Sequence, residues 1–243
     1  MRHHAHRVPV GIYTSSRHLA VTAAVVALPF FLLALFSAYA NIELWRLSYD
    51  VGISVLRLAI AYFLSSCVGW VLAVLFYRGK KAEWALPFFD VLQSFPTFAA
   101  LPFAVLVFGN ASLVVIFFLF MIIVWPIFFT ITSSLRLIKR DWHEAVAIAD
   151  LRGLTYIKKF LLPASAPGFI TGSIIGLGNG WEGLVATEII ARAPRGLGEF
   201  FQSFSSNPTV TAFGILGLLA LIFLINKIIW LPLLEWSHTR TDD

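Results

Sequence analysis

Five charged side chains interrupt runs that are otherwise apolar: Arg57, Asp90, Glu182, Glu188 and Lys227. Charge in apolar surroundings is costly and marks solute or ion pathways, or partners that neutralise one another. Asp90, Gln93, Ser94 and Thr97 recur at helical spacing and form one polar stripe. Asn179 and Glu182 share a second face, set among Gly172, Gly176, Gly178, Gly180 and Gly183. Two readings of these stripes stand side by side. Either they line a pathway between protomers, with Asp90 and Glu182 shaping selectivity or gating, or they satisfy one another and free backbone groups within one protomer. Glu188 joins the pathway candidates, or meets water near the end of its run. Arg57, with Ser54 on its face, can attract an anion or snorkel to the headgroups, and Lys227 reads as snorkelling.

Enzymatic chemistries fit poorly. His143-Glu144 opens a zinc-protease string, but position 147 is alanine where the second histidine would stand. His3, His4 and His6 cluster near the N-terminus, where chance explains them better than a metal site. No run brings together the serine and histidine of a hydrolase, and no phosphate-binding Walker pattern occurs. Gly178-Asn-Gly180-Trp-Glu-Gly183 has dinucleotide-loop spacing, but no strand precedes it. The single cysteine, Cys67, excludes an internal disulfide framework.

The elements that must carry these residues follow from composition. Apolar residues make up 59% of the 243 and charged ones only 13%, with a mean hydropathy of +0.84. A soluble domain carries about twice that charge, so lipid must cover what polar residues do not. Spanning helices need about 20 apolar residues. Six stretches meet that: 19–40, 51–77, 84–108, 111–135, 168–190 and 209–234. Only Gly109 and Asn110 separate the third from the fourth, which predicts a tight helical hairpin. The runs lack alternation and are too long for barrel strands. The expected fold is therefore an all-α, polytopic membrane domain of six helices over 19–236, with tails at 1–18 and 237–243. With both tails in the cytoplasm, only Arg46, Arg192 and Arg195 among the basic residues outside the spans fall on the far side. The positive-inside rule favours that orientation. The net charge of +5 is thereby a matter of topology, and no nucleic-acid partner is expected.

Two connections exceed simple turns, 136–167 on the cytoplasmic side and 191–208 outside, and such loops usually carry function. In the first, Asp141 and Glu144 have capping-box spacing, Ala145, Ala147 and Ala149 favour helix, and Gly153 is placed to terminate it. Thr155 can then cap a second helix over 156–162, with Pro163 and Pro167 marking the entry to the fifth span. Small side chains on the first helix would admit a partner close to its backbone. A basic helix resting on anionic headgroups is the alternative. Outside, 197–206 reads as a short surface helix with Phe200, Phe201 and Phe204, and Arg192 and Arg195 beside it.

Glu144-Ala145, Pro163 nineteen residues later, then Pro167 and Thr171-Gly172 resemble the signature loop of binding-protein-dependent importer permeases. Phe95-Pro96-Thr97-Phe98-Ala99-Ala100-Leu101-Pro102, Phe108-Gly109, Trp181 and Glu188 are similar to the nitrate, sulfonate and taurine group, and the Asn226 to Trp236 ending resembles a subgroup whose permeases are often duplicated in one chain. The likeness runs from about Val51 to Trp236. It implies a type I importer fold in the bacterial inner membrane and a small anionic substrate. It also implies a second permease protomer, identical or paired, and a periplasmic or lipid-anchored substrate-binding protein. Cytoplasmic ATPase subunits would bind the ATP and magnesium, leaving this chain without a cofactor. Glu144, Ala145 and Pro163 are the coupling residues carried over. The family usually has glycine six residues after the glutamate; here Asp150 stands there, so that either Gly153 three residues later supplies the flexibility or the coupling helix is altered. An ion-coupled secondary transporter is the competing function, although no inverted repeat of broken helices is visible.

Overall fold

A computed structural model describes residues 44–230 as one continuous chain, together with Pro232 and a few isolated helical positions between 27 and 38. The 19–40 stretch therefore lies almost wholly outside the described residues, as do both tails. All regular structure among the described residues is helical. Among the described residues, four helices are long and apolar enough to cross a membrane, and a bent pair makes a fifth crossing if taken together.

The first, α1 (Leu44–Phe76), begins earlier than hydropathy alone predicts and carries Arg46 on its outer extension. The 84–108 stretch is not one helix. It divides into α2 (Lys80–Gln93) and α3 (Thr97–Phe108), which meet at 81°. Pro96 has no N–H to donate and disfavours helical geometry at Phe95. The amides of Ser94 and Phe95 close the end of α2 instead, donating to Val91 O and Leu92 O. The bend puts Thr97 on a different helix from Asp90 and Gln93, so the expected single stripe does not form. The hairpin does: Gly109 takes left-handed φ 60, and Asn110 caps α4 (Ala111–Arg136) by accepting from Leu113 N at 3.1 Å.

α4 is the central helix. Val115, Phe118, Leu119, Ile123, Ile127 and Ile131 are buried along its length. It packs against α1 and against the longest element, α6 (Gly153–Ile190). Gly168, Gly172 and Gly176 form the α6 side of that contact, lying against the α4 backbone at Pro126, Ile127, Thr130 and Ile131 and against the Thr130 and Ser134 side chains. Polar side chains fasten the same three helices: Tyr62 OH donates to Ser173 Oγ at 2.9 Å, Trp70 Nε1 to Ser165 Oγ at 3.0 Å, and Ser134 Oγ to Ala164 O at 3.1 Å. At the other extreme, α8 (Pro208–Ile225) is buried along only 11% of its apolar window, so most of its surface faces away from this protomer.

Pro163 and Pro167 do not interrupt the chain before the fifth span; α6 runs straight through them. The turn Ile157–Leu161 is widened into a π-helix in which Leu162 N reaches Ile157 O. That widening absorbs the register lost where Pro163 cannot donate. The irregular connection is thus shorter than 136–167, and its second helix is the beginning of α6.

Candidate functional site

Three places hold the residues singled out above. The first is the connection between α4 and α6. Helix α5 (Arg140–Ile148) starts one residue before Asp141, which lies in its first turn rather than at its cap. Its end is not made by Gly153. Asp150 adopts left-handed φ 46, its N–H donates to Ala147 O, and Leu151 N reaches back to Val146 O. Those two bonds are a Schellman motif with aspartate in the position glycine usually fills. Aspartate is one of the few residues that visits this region, and Arg152 Nε sits 2.7 Å from its carboxylate. Gly153, also left-handed at φ 52, opens α6. Trp142, Ile148 and Leu154 stand well exposed, as does Leu137 just before α5. Glu144 and Pro163 are exposed as well. Below the break, a polar cleft of about 540 Å³ lies between Arg78, Asp150, Arg152 and Tyr156. Arg136 anchors this end by donating from Nε to Tyr77 O at 2.8 Å.

The second place is the face of α6 that carries Asn179 and Glu182. Both are exposed on the single protomer. Glu182 borders a cleft of about 380 Å³ whose other walls, among them Trp181, Phe201, Leu218 and Ile222, are apolar and come from α6, α7 (Leu197–Ser203) and α8. Asp90 and Gln93 do not join it. They bond to each other on α2, Gln93 Nε2 donating to Asp90 Oδ1 at 2.6 Å, and Thr97 lines a separate apolar cleft with Phe103 and Phe117.

The third place was not foreseen as a unit. Arg57 does not snorkel and Glu188 does not meet water: each is buried, and they pair at 2.6 Å. Arg57 Nη1 also donates to Arg195 O, and Nη2 donates to Pro194 O and to Ser112 Oγ. Glu188 accepts from Gly198 N at 2.9 Å and from Ser54 Oγ, whose own oxygen accepts from Leu197 N. Both Nη atoms of Arg57 and both carboxylate oxygens of Glu188 are thus bonded within this protomer. The spacing of Ser54 and Arg57 on one helical face was visible in the sequence; nothing local connected them to Glu188. Asp50, one turn before Ser54, is also buried, and its Oδ1 has no hydrogen-bond partner.

Residues 65–229, more than half of the chain, match the family described as binding-protein-dependent transport system inner membrane component. The chain belongs to that family. Among its relatives, a nitrate import permease protein of Leptolyngbya laminosa is 29% identical over 181 residues, covering 72% of this chain and 64% of the relative. A bicarbonate transport system permease protein of Synechococcus elongatus is 27% identical over 148 residues, 60% and 53% of the two chains. A putative aliphatic sulfonates transport permease protein of Bacillus subtilis is 24% identical over 195 residues, 77% and 70%. The chain spans less than two thirds of the length of the nitrate and bicarbonate relatives. For a binding-protein-dependent inner membrane component, the apolar helices of the fold are membrane spans, and this chain is a multi-pass membrane protein.

Proposed function

We propose that this chain is the permease subunit of an ATP-driven importer for a small anion. The observation that carries this reading is the cytoplasmic loop. A nine-residue helix ends in a Schellman turn, presents Trp142 and Ile148 outward, and leads directly into α6. Exposed aromatic and aliphatic side chains on a short, rigid helix suit insertion into a groove on a partner. Glu144, Ala145, Asp150, Gly153 and Pro163 are the residues of that coupling element. The partner is an ATPase subunit that binds and hydrolyses ATP with magnesium; this chain contributes the pathway and no catalysis.

Six crossings, a type I importer fold and cytoplasmic termini complete the proposal, with 19–40 as the first crossing and the bent α2–α3 pair as the third. The family's description supports the inner membrane, and the basic residues gathered around the 136–167 connection support its cytoplasmic placement. Two permease protomers enclose the pathway. Asn179 and Glu182, together with Asp90, Gln93 and Thr97, face it from the surfaces left open on the single protomer. A periplasmic or lipid-anchored binding protein delivers the solute at the 191–208 side. The substrate class rests on the relatives, whose names give nitrate, bicarbonate and aliphatic sulfonates. An ion-coupled secondary transporter is not favoured, because the family that the chain matches is that of binding-protein-dependent transport systems.

Co-expression with the genes that neighbour it, followed by purification through this chain and mass spectrometry, tests the reading. A stoichiometric ATPase subunit is expected, and it should be lost when Glu144 and Ala145 are replaced together by arginine. A chain that purifies alone, with no ATP hydrolysis in any lipid, would overturn the importer.

A further inference from the structure

Arg57 and Glu188 could fasten α1 to α6 more cheaply as two apolar side chains, since desolvating an ion pair often cancels its attraction. What charges add is a set of donors and acceptors, and here these are spent on one loop. Arg57 holds the carbonyls of Pro194 and Arg195; Ser54 and Glu188 hold the amides of Leu197 and Gly198. Four nearly consecutive backbone groups of the 191–198 segment are thereby bound to buried side chains of α1 and α6. The loop is shaped around them. A Cβ on Gly196 would stand 2.8 Å from both Glu188 oxygens, and one on Gly198 only 2.9 Å from the Glu188 carbonyl carbon. Arg192 and Arg195 take left-handed φ of 49 and 62, conformations that persist in such residues only where the surroundings over-determine them. Their side chains stand exposed, with Arg195 lying over the Tyr49 ring at 5.6 Å.

The opposite end of the same helix is the cytoplasmic loop. α6 is continuous from Gly153 to Ile190, about 57 Å at 1.5 Å per residue, and Glu188 lies in its last turn. Resting on the importer reading above, we propose that Ser54, Arg57 and Glu188 are positioning residues. They lock the 191–198 loop to α6, so that engagement of an external receptor protein on the loop moves α6 as a rod and reaches the ATPase at its other end. The loop without the lock would still bind, but it would yield locally instead of moving the helix.

The test uses the whole complex of permease, ATPase and its own binding protein in nanodiscs, with nitrate, bicarbonate and methanesulfonate supplied in turn. Glu188→Gln removes the charge from within. Gly198→Ala pushes the loop away from Glu188 without altering any charged group. Both should reduce the ratio of receptor-stimulated to basal ATP hydrolysis on the order of tenfold, the scale of a typical coupling between two sites. Gly198→Ala should leave the basal rate and the subunit stoichiometry unchanged. A spin label at Gln202, introduced in a Cys67→Ala background, should become more mobile in both variants. Stimulation kept within about twofold, or a label as immobile as in the parent, would overturn the lock. So would a Gly198→Ala complex that loses basal and stimulated hydrolysis together, since that shows a role in folding alone. An unmodified complex that the receptor never stimulates would instead overturn the importer reading.

Discussion

Gly172 sits where α6 touches the backbone of α4, and replacing it by alanine should be among the most damaging single-methyl changes in the chain. A Cβ there would run into Thr130 Oγ1 and, behind it, would lie 2.7 Å from Ile127 Cα and 2.9 Å from Pro126 O. Carbon atoms in good contact stand about 3.5–4.0 Å apart, so the helices must separate by roughly 1 Å at this point. Backbone cannot rotate out of the way as a side chain can. A gap of that size forfeits about a quarter to a half of each dispersion contact along the seam, and overpacking of this kind costs about 1–3 kcal/mol. The same substitution at Gly178, six residues along α6, meets nothing within 4 Å. There it should stabilise, by up to about 1 kcal/mol from helix propensity. Gly176 is intermediate, because its nearest neighbour at 3.0 Å is the Ile123 Cγ2 methyl. Equilibrium unfolding of the three variants in mixed micelles would read the order directly. Gly172→Ala should raise the unfolded fraction about 5–150-fold, Gly176→Ala less, and Gly178→Ala should lower it. A Gly172→Ala protein as stable as Gly178→Ala would refute the backbone-contact argument and the close α4–α6 approach with it.

Removing either member of the buried pair, by Arg57→Ala or Glu188→Ala, should cost about 3–5 kcal/mol, whereas Arg57→Leu with Glu188→Leu should recover much of that loss; the same unfolding assay decides. Asp150→Gly should stabilise the cytoplasmic loop by up to about 1 kcal/mol while Asp150→Val costs about 1–2 kcal/mol. ATPase co-purification should survive the first substitution and weaken in the second. Asn110→Ala deletes the cap of α4 and should cost about 0.5–2 kcal/mol in the unfolding assay. Pro163→Ala should let the π turn relax to α-helix, rotating Thr155 against Ile175 by about 100°. Distances between spin labels at those positions would show the change.

Where the sequence was informative, the physics was local. Hydropathy located the helices that α4, α6 and α8 realise, and Gly109-Asn110 located a turn, because a left-handed residue followed by a cap needs only neighbours to form. Proline was ambiguous for the opposite reason. Pro96 breaks its run and Pro163 does not, although each removes one donor. At Pro163 the deficit is spread over a widened turn in a helix that α4 holds by Ser134 Oγ on Ala164 O, and that support comes from about 30 residues away. The Arg57–Glu188 pair is the extreme case, with its members 131 positions apart. Each alone reads as an intramembrane charge in search of a pathway; only the packing of α1 against α6 shows that each is the other's solvent. Asp150 makes the converse point. Its residue type departs from the glycine that the resemblance leads one to expect, which reads as an altered loop. The backbone nevertheless takes the left-handed turn that glycine serves. What the loop requires is a conformation, and aspartate can supply it at modest cost. A departure in residue type is therefore evidence of a changed element only when the new side chain cannot reach the old φ and ψ.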